Sequence, residues 1–271
     1  MSTDERYGLP RVIAVANQKG GVGKTTTAIN LAAALVECGK NVLIVDLDPQ
    51  GNASTGLGIE VSERGVTTYD FLFGVRPPAE VVRPTRIRGL SIVPSGSDLA
   101  SADIALVSAE RRLHLLKDAL SAPFFSTANL DYVLIDCPPS LSLLTVNALV
   151  AADSVLVPLQ AEFYALEGLS QLMLTVREVR RTANPSLRIE GVLITMADGR
   201  NRLAQQVERD VRETLGPLVF ATVIPRNVRL SEAPSFGKTI LEYDAQSRGS
   251  IAYMSAAREI LARHEALTAE R

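Results

Sequence analysis

Short apolar runs, rich in β-branched residues, recur along the chain between stretches in which apolar residues repeat every three or four positions, as in residues 28–35 and 166–176. The runs have the length and composition of buried strands, and the stretches have the period of helices. The strand-like runs are Val12–Ala16, Val42–Val45, Leu90–Val93, Tyr132–Ile135, Val155–Val157, Gly191–Thr195 and Val219–Ile224. Because the two patterns alternate, they predict an α/β fold, a doubly wound and mostly parallel sheet with helices on both faces.

No linker, repeat or low-complexity tract interrupts this alternation, so we expect one domain over residues 1–271. Residues 1–10 and 265–271 are expected to be flexible ends. The segment Gly56–Arg88 is rich in Gly, Pro and charged residues, which predicts loops and short helices outside the sheet.

The predicted last helix, at about Ser250–His264, carries an apolar stripe. The stripe consists of Ile251, Met254, Ala257, Ile260 and Leu261. Such a stripe favours packing against the sheet over anchoring in a membrane.

Composition narrows the class of protein. Hydrophobic residues make up 46% of the chain and charged residues 21%, as in ordinary globular proteins. A net charge of -2 gives no whole-molecule sign of nucleic-acid binding, so any such surface must come from local clusters. Cys38 and Cys137 are too few for a disulfide framework or a metal-ligand set. Without a signal-peptide pattern or an apolar run of membrane-spanning length, we expect a cytoplasmic protein with no stable membrane association.

The segment between the first strand and the first helix has the features of a phosphate-binding loop. It reads Asn17-Gln18-Lys19-Gly20-Gly21-Val22-Gly23-Lys24-Thr25-Thr26. Glycines let successive N–H groups converge on phosphate oxygens, and the helix N-terminus adds its positive dipole end. We therefore expect residues 20–26 to hold the phosphates of a nucleotide, with Lys24 at the β- and γ-phosphates and the Thr25 hydroxyl on Mg²⁺. The alternative is a glycine-rich turn beside two solvated lysines.

Two predicted strands end in carboxylates. Asp46 and Asp48 lie two residues apart, so both should point to one side at the carboxyl edge of the sheet, where open α/β folds bind ligands. A carboxylate there can order Mg²⁺-bound water or orient the attacking water. The alternative is that these aspartates only cap a turn. Asp136 ends a second apolar run and is expected to bind water on the metal, before a Pro-Pro-Ser loop suited to sensing the γ-phosphate.

The other reactive residue types are not candidate catalysts. Cys137 follows Asp136, but no histidine lies in either neighbouring motif, which favours a buried small residue over a nucleophile. His114 and His264 both fall in polar helical stretches.

The loop departs from the common G-x-x-x-x-G-K-[ST] pattern, because Gln18 stands in place of the first glycine and Lys19 adds a second lysine. K-G-G-x-G-K-T-T resembles the deviant Walker A motif of the ParA/MinD superfamily of P-loop NTPases. The block Val42–Asn52 looks like the second acidic motif of ParA-type ATPases. Pro158–Gly168 and Val223–Ser235 resemble blocks of the chromosomal ParA (Soj) branch, so the resemblance covers most of the chain.

This resemblance implies an ATPase that segregates chromosomes or plasmids. Lys19 would reach the nucleotide of a partner copy, and Asp48 matches the family's hydrolysis-critical aspartate. Pro225 and Asn227 would contact the adenine base, with Met196 packed nearby. The implied cycle is an ATP-bound homodimer on double-stranded DNA of the nucleoid, bound without sequence preference and released when a ParB-type centromere-binding protein stimulates otherwise slow hydrolysis.

Several basic residues lie in predicted loops or helix starts with few acidic neighbours, which suits contacts with DNA phosphates. The candidates are Arg200, Arg226, Arg229, Lys238 and Arg248. Arg200 and Arg229 match DNA-binding positions of the family that the chain resembles. Solvated or structurally paired side chains are the alternative. No aromatic residues are interleaved with them, which favours phosphate contacts over base stacking.

Two other classes share the loop. A MinD-like membrane-associated positioning ATPase needs a basic amphipathic anchor, and residues 262–271 are too acidic and too poor in bulky apolar residues to form one. A metabolic P-loop enzyme would turn over a small organic substrate, and the loop alone does not exclude it. An iron–sulfur relative needs cluster cysteines, which the chain's two scattered cysteines do not supply.

Overall fold

A computed structural model describes residues 9–162 and 165–269 of the chain. The strands within these ranges are β1 (Arg11–Val15), β2 (Val42–Asp46), β3 (Arg83–Pro84), β4 (Leu90–Val93), β5 (Tyr132–Asp136), β6 (Ser154–Gln160), β7 (Arg188–Ala197) and β8 (Val219–Pro225). The α-helices are α1 (Lys24–Glu37), α2 (Asn52–Gly56), α3 (Thr68–Leu72), α4 (Pro78–Val81), α5 (Ala102–Ser108), α6 (Leu115–Leu120), α7 (Pro123–Thr127), α8 (Leu143–Ala151), α9 (Ala165–Thr182), α10 (Arg202–Leu215), α11 (Val228–Glu232), α12 (Ile240–Tyr243) and α13 (Arg248–Ala269). Short 3₁₀ helices span Val61–Glu63, Ser97–Ser101, Gly216–Leu218 and Ala233–Phe236.

The strands form one sheet in the order β3-β4-β2-β5-β1-β6-β7-β8. Neighbouring strands are parallel except for β3 and β4, which are antiparallel. The predicted doubly wound, mostly parallel α/β fold is confirmed, and every predicted strand is present. Because the strands are parallel, β1, β2, β5, β6, β7 and β8 all end at the same edge of the sheet, which is where a ligand site is expected.

The segment Gly56–Arg88 enters the sheet at one point, contrary to the prediction that it lies wholly outside. Arg83–Pro84 forms β3, an edge strand that pairs with β4, while the rest of the segment forms short helices and loops. A two-residue strand leaves no alternating apolar pattern, and Pro84 gives a turn signal. The sequence therefore contained nothing that predicted β3.

Side chains of the central strands alternate between two cores. Ala14, Val45 and Val133 belong to the core formed with helices α5, α6, α8 and α9. Ile13 and Ile44 belong to the opposite core, formed with α1 and α13. Both faces of the sheet are covered, which explains why the strands are continuous apolar runs.

Helix α13 extends to Ala269, beyond the predicted end at His264. Ala257 and Ile260 of the predicted stripe are buried, but Ile251 is 57% exposed, so its assignment to the packing face was wrong. The buried face follows Tyr253 instead, because this large side chain packs into the core. Of the predicted flexible ends, residues 1–8 and 270–271 lie outside the described residues. No helix in the described ranges has the length and apolar character of a membrane span.

His264 is buried at the amino edge of the sheet, although its sequence context is polar. Its Nδ1 lies 3.0 Å from the Tyr132 hydroxyl, and its Nε2 lies 2.9 Å from Glu190 Oε1. Glu190 Oε2 accepts a hydrogen bond from Ser154 Oγ at 2.6 Å. The cluster joins α13 to the first residues of β5 and β6 and to the third residue of β7, at the edge opposite the carboxyl ends of the strands.

Side chains cover backbone groups of the edge strand β8. Glu259 accepts hydrogen bonds from the N–H groups of Ala221 and Thr222 at 2.8 and 2.9 Å. Arg263 donates to Val219 O at 3.3 Å, and Arg212 donates to Phe220 O at 2.9 Å. At the other edge of the sheet, β3 is two residues long and ends in a proline, which has no N–H to donate.

Candidate nucleotide-binding site

The chain leaves β1 at Val15 and turns through residues 16–23 before α1 begins at Lys24. Gly21 and Gly23 have φ angles of 73° and 85°, in the left-handed region that favours glycine. The first turn of α1 has no acidic residue, and no side chain caps its N-terminus. Its free N–H groups and positive dipole end are therefore available to an anion held by the loop.

Buried hydrogen bonds tie this loop to the neighbouring strands. Asn17 Nδ2 donates to Pro158 O at 2.8 Å in β6, and Thr195 Oγ1 donates to Val22 O at 2.8 Å from β7. Asn17 Oδ1 also accepts from the N–H of Lys19 at 3.0 Å. The sheet therefore fixes the shape of the loop.

Lys24 lies within the loop and is only 6% exposed. Its ammonium group donates to Lys19 O at 3.0 Å. Burial lowers the pKa of Lys24, and the negative charges of Asp136 and Asp48 oppose that shift. An ammonium group has three donors, so Lys24 keeps donors for phosphate oxygens.

Asp46 and Asp136 lie side by side at the ends of β2 and β5, and both are fully buried. Asp46 accepts hydrogen bonds from Ser54 Oγ at 2.6 Å, from Ser54 N at 2.8 Å and from Asp48 N at 3.3 Å. Burial raises the pKa of Asp46 to about 6, against the effect of the Ser54 donors. Burial, and next the charge of Asp46, raise the pKa of Asp136 well above its usual value.

Asp136 and Thr25 fit a magnesium site. Neither oxygen of Asp136 makes a hydrogen bond of ordinary geometry with a described residue, although the Thr25 hydroxyl is close enough to lower its pKa. A buried carboxylate without partners is costly unless a cation or ordered water pairs with it. Within the described residues, no three His, Cys, Asp or Glu form a metal cage. Mg²⁺ needs none, because it binds through one or two protein groups, substrate phosphates and water.

Asp48 follows β2 and is 6% exposed. Its Oδ1 accepts a hydrogen bond from the N–H of Gln50 at 2.9 Å, so the turn-capping interaction weighed as the alternative is present. The carboxylate also lies close enough to Lys24 to affect its pKa. The geometry therefore accommodates both a turn cap and a group that acts at the loop.

Lys19 makes a different contact from Lys24. Its ammonium group forms an ion pair with Glu162, beyond the end of β6, and the two side chains are 38% and 43% exposed. Glu162 was not among the predicted site residues, because nothing in sequence spacing connects residues 143 positions apart.

The three predicted base-contacting residues lie at the ends of β7 and β8, beside the loop. Met196 has a φ of 51°, which is uncommon for a residue other than glycine. A Cβ added to Gly23 would lie 3.8 Å from Met196 Cε, so this side chain lies next to the loop. Asn227 Oδ1 caps α11 by accepting a backbone N–H at 2.9 Å, which leaves its NH₂ group as a donor. Pro225 is the last residue of β8.

The five basic residues predicted to contact DNA are all exposed. A hydrogen bond from Arg226 N to β7 brings the loops of Arg200 and Arg226 together. The start of α13, with Arg248, packs against α11, which carries Arg229. Lys238 lies in the connection that precedes α12.

An exposed aromatic residue lies in the same segment, contrary to the expectation from the sequence. Phe236 is 61% exposed and stacks on Tyr243, with ring centroids 5.2 Å apart. Phe236 and Tyr243 lie between Arg229 and Arg248 in the sequence, so the expectation that no aromatic residue is interleaved with the basic residues was wrong.

Cys137 is fully buried, and burial raises the pKa of its thiol, which agrees with the expectation of an inert packing residue.

The fold, the loop and the two carboxylate-ended strands together define a P-loop nucleotide-binding protein.

Comparison with known proteins identifies the family. A protein-family model described as an AAA domain matches residues 10–189. The chain is 55% identical over 253 residues to the chromosome partitioning protein ParA of Caulobacter vibrioides, which covers 93% of this chain and 94% of that protein. It is 52% identical over 252 residues to the sporulation initiation inhibitor protein Soj of Bacillus subtilis. This alignment covers 93% of this chain and 98% of that protein. The chain belongs to the ParA/Soj family of chromosome-partitioning ATPases.

A solved structure supports the fold and the predicted ligands. It is described as cobyrinic acid a,c-diamide synthase from Mycobacterium smegmatis with a bound ATP analogue and magnesium. The TM-score is 0.82 at 38% identity, covering 95% of this chain and 96% of that one. The predicted ATP and Mg²⁺ agree with the ligands of that structure.

Proposed function

We propose that the chain is an ATP-dependent switch for chromosome or plasmid segregation. An ATP-bound homodimer binds double-stranded DNA of the nucleoid without sequence preference, and a ParB-type partner releases it by stimulating hydrolysis. We also propose that residues 1–271 form one domain, since strands from both halves of the chain share one sheet.

The different directions of the two loop lysines carry this proposal. Lys24 is buried and directed into its own loop, whereas Lys19 is half-exposed and paired with Glu162 at the surface. A lysine that points out of the loop has little to offer the phosphates of its own chain. It is well placed to reach phosphates bound by a second copy, and exchange of Glu162 for a phosphate preserves its charge pairing.

Each protomer would supply the remaining groups. The N–H groups of residues 20–26 and the Lys24 ammonium would hold the phosphates, while Met196, Pro225 and Asn227 would surround the base. Thr25, Asp136 and Asp48 would hold Mg²⁺, directly or through water. Mg²⁺ would neutralise phosphate charge. Asp48 would also orient the attacking water.

Hydrolysis would be slow in the absence of a partner. Asp46 is held by three donors, and Asp48 already caps a turn, so the loop has no freely placed strong base. A partner that reorders this region would increase the rate, as electrostatic positioning accounts for most catalysis of phosphoryl transfer.

DNA binding would depend on how many basic residues a protomer or a dimer presents to the DNA. Arg200, Arg226, Arg229, Lys238 and Arg248 are exposed on one protomer, and a dimer would present two such sets. Two linked sets bind far more tightly than one, because the second contact is intramolecular. This accounts for DNA binding by a protein of net charge -2.

The decisive experiment is DNA retention at a series of salt concentrations with ATP, with ADP and without nucleotide, alongside sedimentation of the protein. We expect retention and dimers with ATP only, and retention that falls steeply with salt. Equal retention in all three conditions would refute the switch.

A metabolic P-loop enzyme is the second candidate, because the M. smegmatis structure carries such a name. Identity to the partitioning proteins is higher, at 55% against 38%. ATPase stimulation by DNA together with a basic partner peptide would exclude the metabolic function.

A MinD-like membrane function has less support. Ala257 and Ile260 of the last helix are buried in the core and so are not free to anchor in lipid. ATP-dependent sedimentation with liposomes, in the absence of DNA binding, would instead support it.

A further inference from the structure

Arg229, one of the predicted DNA-binding residues, is held by acidic and aromatic groups. Its Nη1 lies 3.1 Å from Glu232 Oε2, and its Nε lies 3.8 Å from Asp244 Oδ2. Its guanidinium carbon lies 5.9 Å from the centroid of the Tyr243 ring. The Tyr243 hydroxyl donates to the same Glu232 oxygen at 3.2 Å. Glu232 is therefore fixed in place by α12 while it pairs with Arg229.

The other four predicted DNA-binding side chains differ in this respect. Arg200, Arg226, Lys238 and Arg248 form no ion pair with any carboxylate in residues 9–162 and 165–269. The pairing is thus specific to Arg229 within this set. It is also accessible, because the Arg229 and Glu232 side chains are 55% and 41% exposed.

A DNA phosphate that binds Arg229 competes with Glu232 for the guanidinium group, and the negative charge of Glu232 also repels the phosphate. The exchange swaps one anion for another, so it releases fewer counterions than binding to a free arginine does. Each protomer therefore binds DNA more weakly than its number of basic residues indicates.

We propose that Glu232 competes with DNA phosphate for Arg229 and so sets the salt concentration above which a single protomer no longer binds DNA. It weakens the contact made by one protomer, so that a single protomer does not hold DNA at working salt, whereas two linked protomers do. This inference rests on the proposed function.

The expected size follows from the exposure of the pair. An exposed ion pair corresponds to a change of about two- to fivefold in affinity. Because the dimer makes the contact twice, Glu232→Gln would raise its DNA affinity by roughly the square of the effect on the ADP-bound protomer.

The experiment measures fluorescence anisotropy of a duplex with wild-type protein and Glu232→Gln, with a non-hydrolysable ATP analogue or with ADP, at several salt concentrations. Glu110→Gln is the matched control, because it removes the same charge from an exposed residue that has no ion pair in the described ranges. We expect Glu232→Gln to show binding with ADP at a salt concentration where the wild type shows none. Its log–log salt dependence should also be steeper by about one unit per protomer.

A purely structural role for Glu232 would not steepen the salt dependence. Tyr243→Phe keeps the ring but removes the hydroxyl that holds Glu232, so it should shift affinity in the same direction by a smaller factor. This variant also supplies the test if Glu232→Gln does not fold.

Equal behaviour of Glu232→Gln and Glu110→Gln, with a wild type that binds DNA only with the ATP analogue, would overturn this inference alone. Absence of DNA binding by the wild type with the ATP analogue would overturn both the inference and the proposed function.

Discussion

At the scale of single residues, Asp48 caps a turn and is proposed to orient the attacking water, and two substitutions separate these roles. Asn keeps the Oδ1 that accepts from Gln50 N, whereas Ala removes it. We expect Asp48→Asn and Asp48→Ala both to accumulate ATP-bound dimers, because neither retains a carboxylate to orient water. Only Asp48→Ala should also lose about 1 kcal/mol of stability, the usual net contribution of one hydrogen bond.

Phosphate release, sedimentation with ATP and thermal unfolding measure these outcomes. Hydrolysis by Asp48→Asn at the wild-type rate would reduce Asp48 to a turn residue.

Lys24 is the side chain on which nucleotide binding should depend most. We expect Lys24→Ala to weaken ATP binding by about 3 kcal/mol, or roughly 100-fold, because it removes a charged donor to the phosphates. Titration calorimetry with ATP measures this. Lys40→Ala is the control and should bind ATP normally, because Lys40 lies beyond the C-terminal end of α1, where it pairs with Asp131 at 3.9 Å.

The sequence indicated which loop and strand-end residues would lie together, but it did not indicate their contacts. Lys24 and Asp136 could be recognised because each lies in a short motif between a strand and a helix. The Lys19–Glu162 pair and the bond from Thr195 to Val22 join residues more than 140 positions apart. Such contacts depend on which strands are neighbours in the sheet, and local pattern does not contain that information.

At the scale of elements, strands were predictable wherever both faces were to be buried. β4 lies where the sequence placed it, because Leu90–Val93 is a continuous apolar run. β3 was missed because two edge residues form no pattern, and Ile251 was misplaced because Tyr253 determines which face of α13 packs. Periodicity identifies a helix but does not decide between two apolar faces.

The cluster of Glu190, His264, Tyr132 and Ser154 ties α13 to three strands and should make stability depend on pH. Burial alone would raise the pKa of Glu190, but the hydrogen bond and charge of His264, together with Ser154 and Arg11, outweigh it and hold the pKa below 4.5. A carboxyl with a lowered folded pKa stabilises the protein above its unfolded value, and this contribution is lost as pH falls through the folded value.

We therefore expect Glu190→Gln to lower the free energy of unfolding by about 1–3 kcal/mol at pH 7, and the difference from wild type to shrink as pH falls below 4.5. Urea unfolding across this pH range measures it. Glu213→Gln, an exposed change on α10, should have little effect at any pH. A difference that grew in acid would contradict the assignment.

At the scale of the whole molecule, DNA binding and dimerisation should be separable, because different residues would carry them. We expect Arg229→Glu to form dimers with ATP but to lose DNA binding, since it replaces one of the exposed cations predicted to contact DNA with an anion. Sedimentation with ATP and DNA retention measure the two properties.

Arg181→Glu is the control for this substitution. Arg181 is an exposed residue in the last turn of α9, which leads to the amino end of β7, whereas Arg200, Arg226 and Arg229 follow the carboxyl ends of β7 and β8. Equal loss of DNA binding in both variants would show that net charge alone governs binding.

The closed edges of the sheet limit how copies of this protein can assemble. With Glu259 on two N–H groups of β8 and Pro84 in β3, neither border presents a long row of free backbone donors. A row of that kind is the template on which strands of separate molecules add to one another and grow into cross-β polymers. Copies of the protein can therefore be concentrated while each keeps its own sheet, which leaves association to surfaces other than the sheet edges.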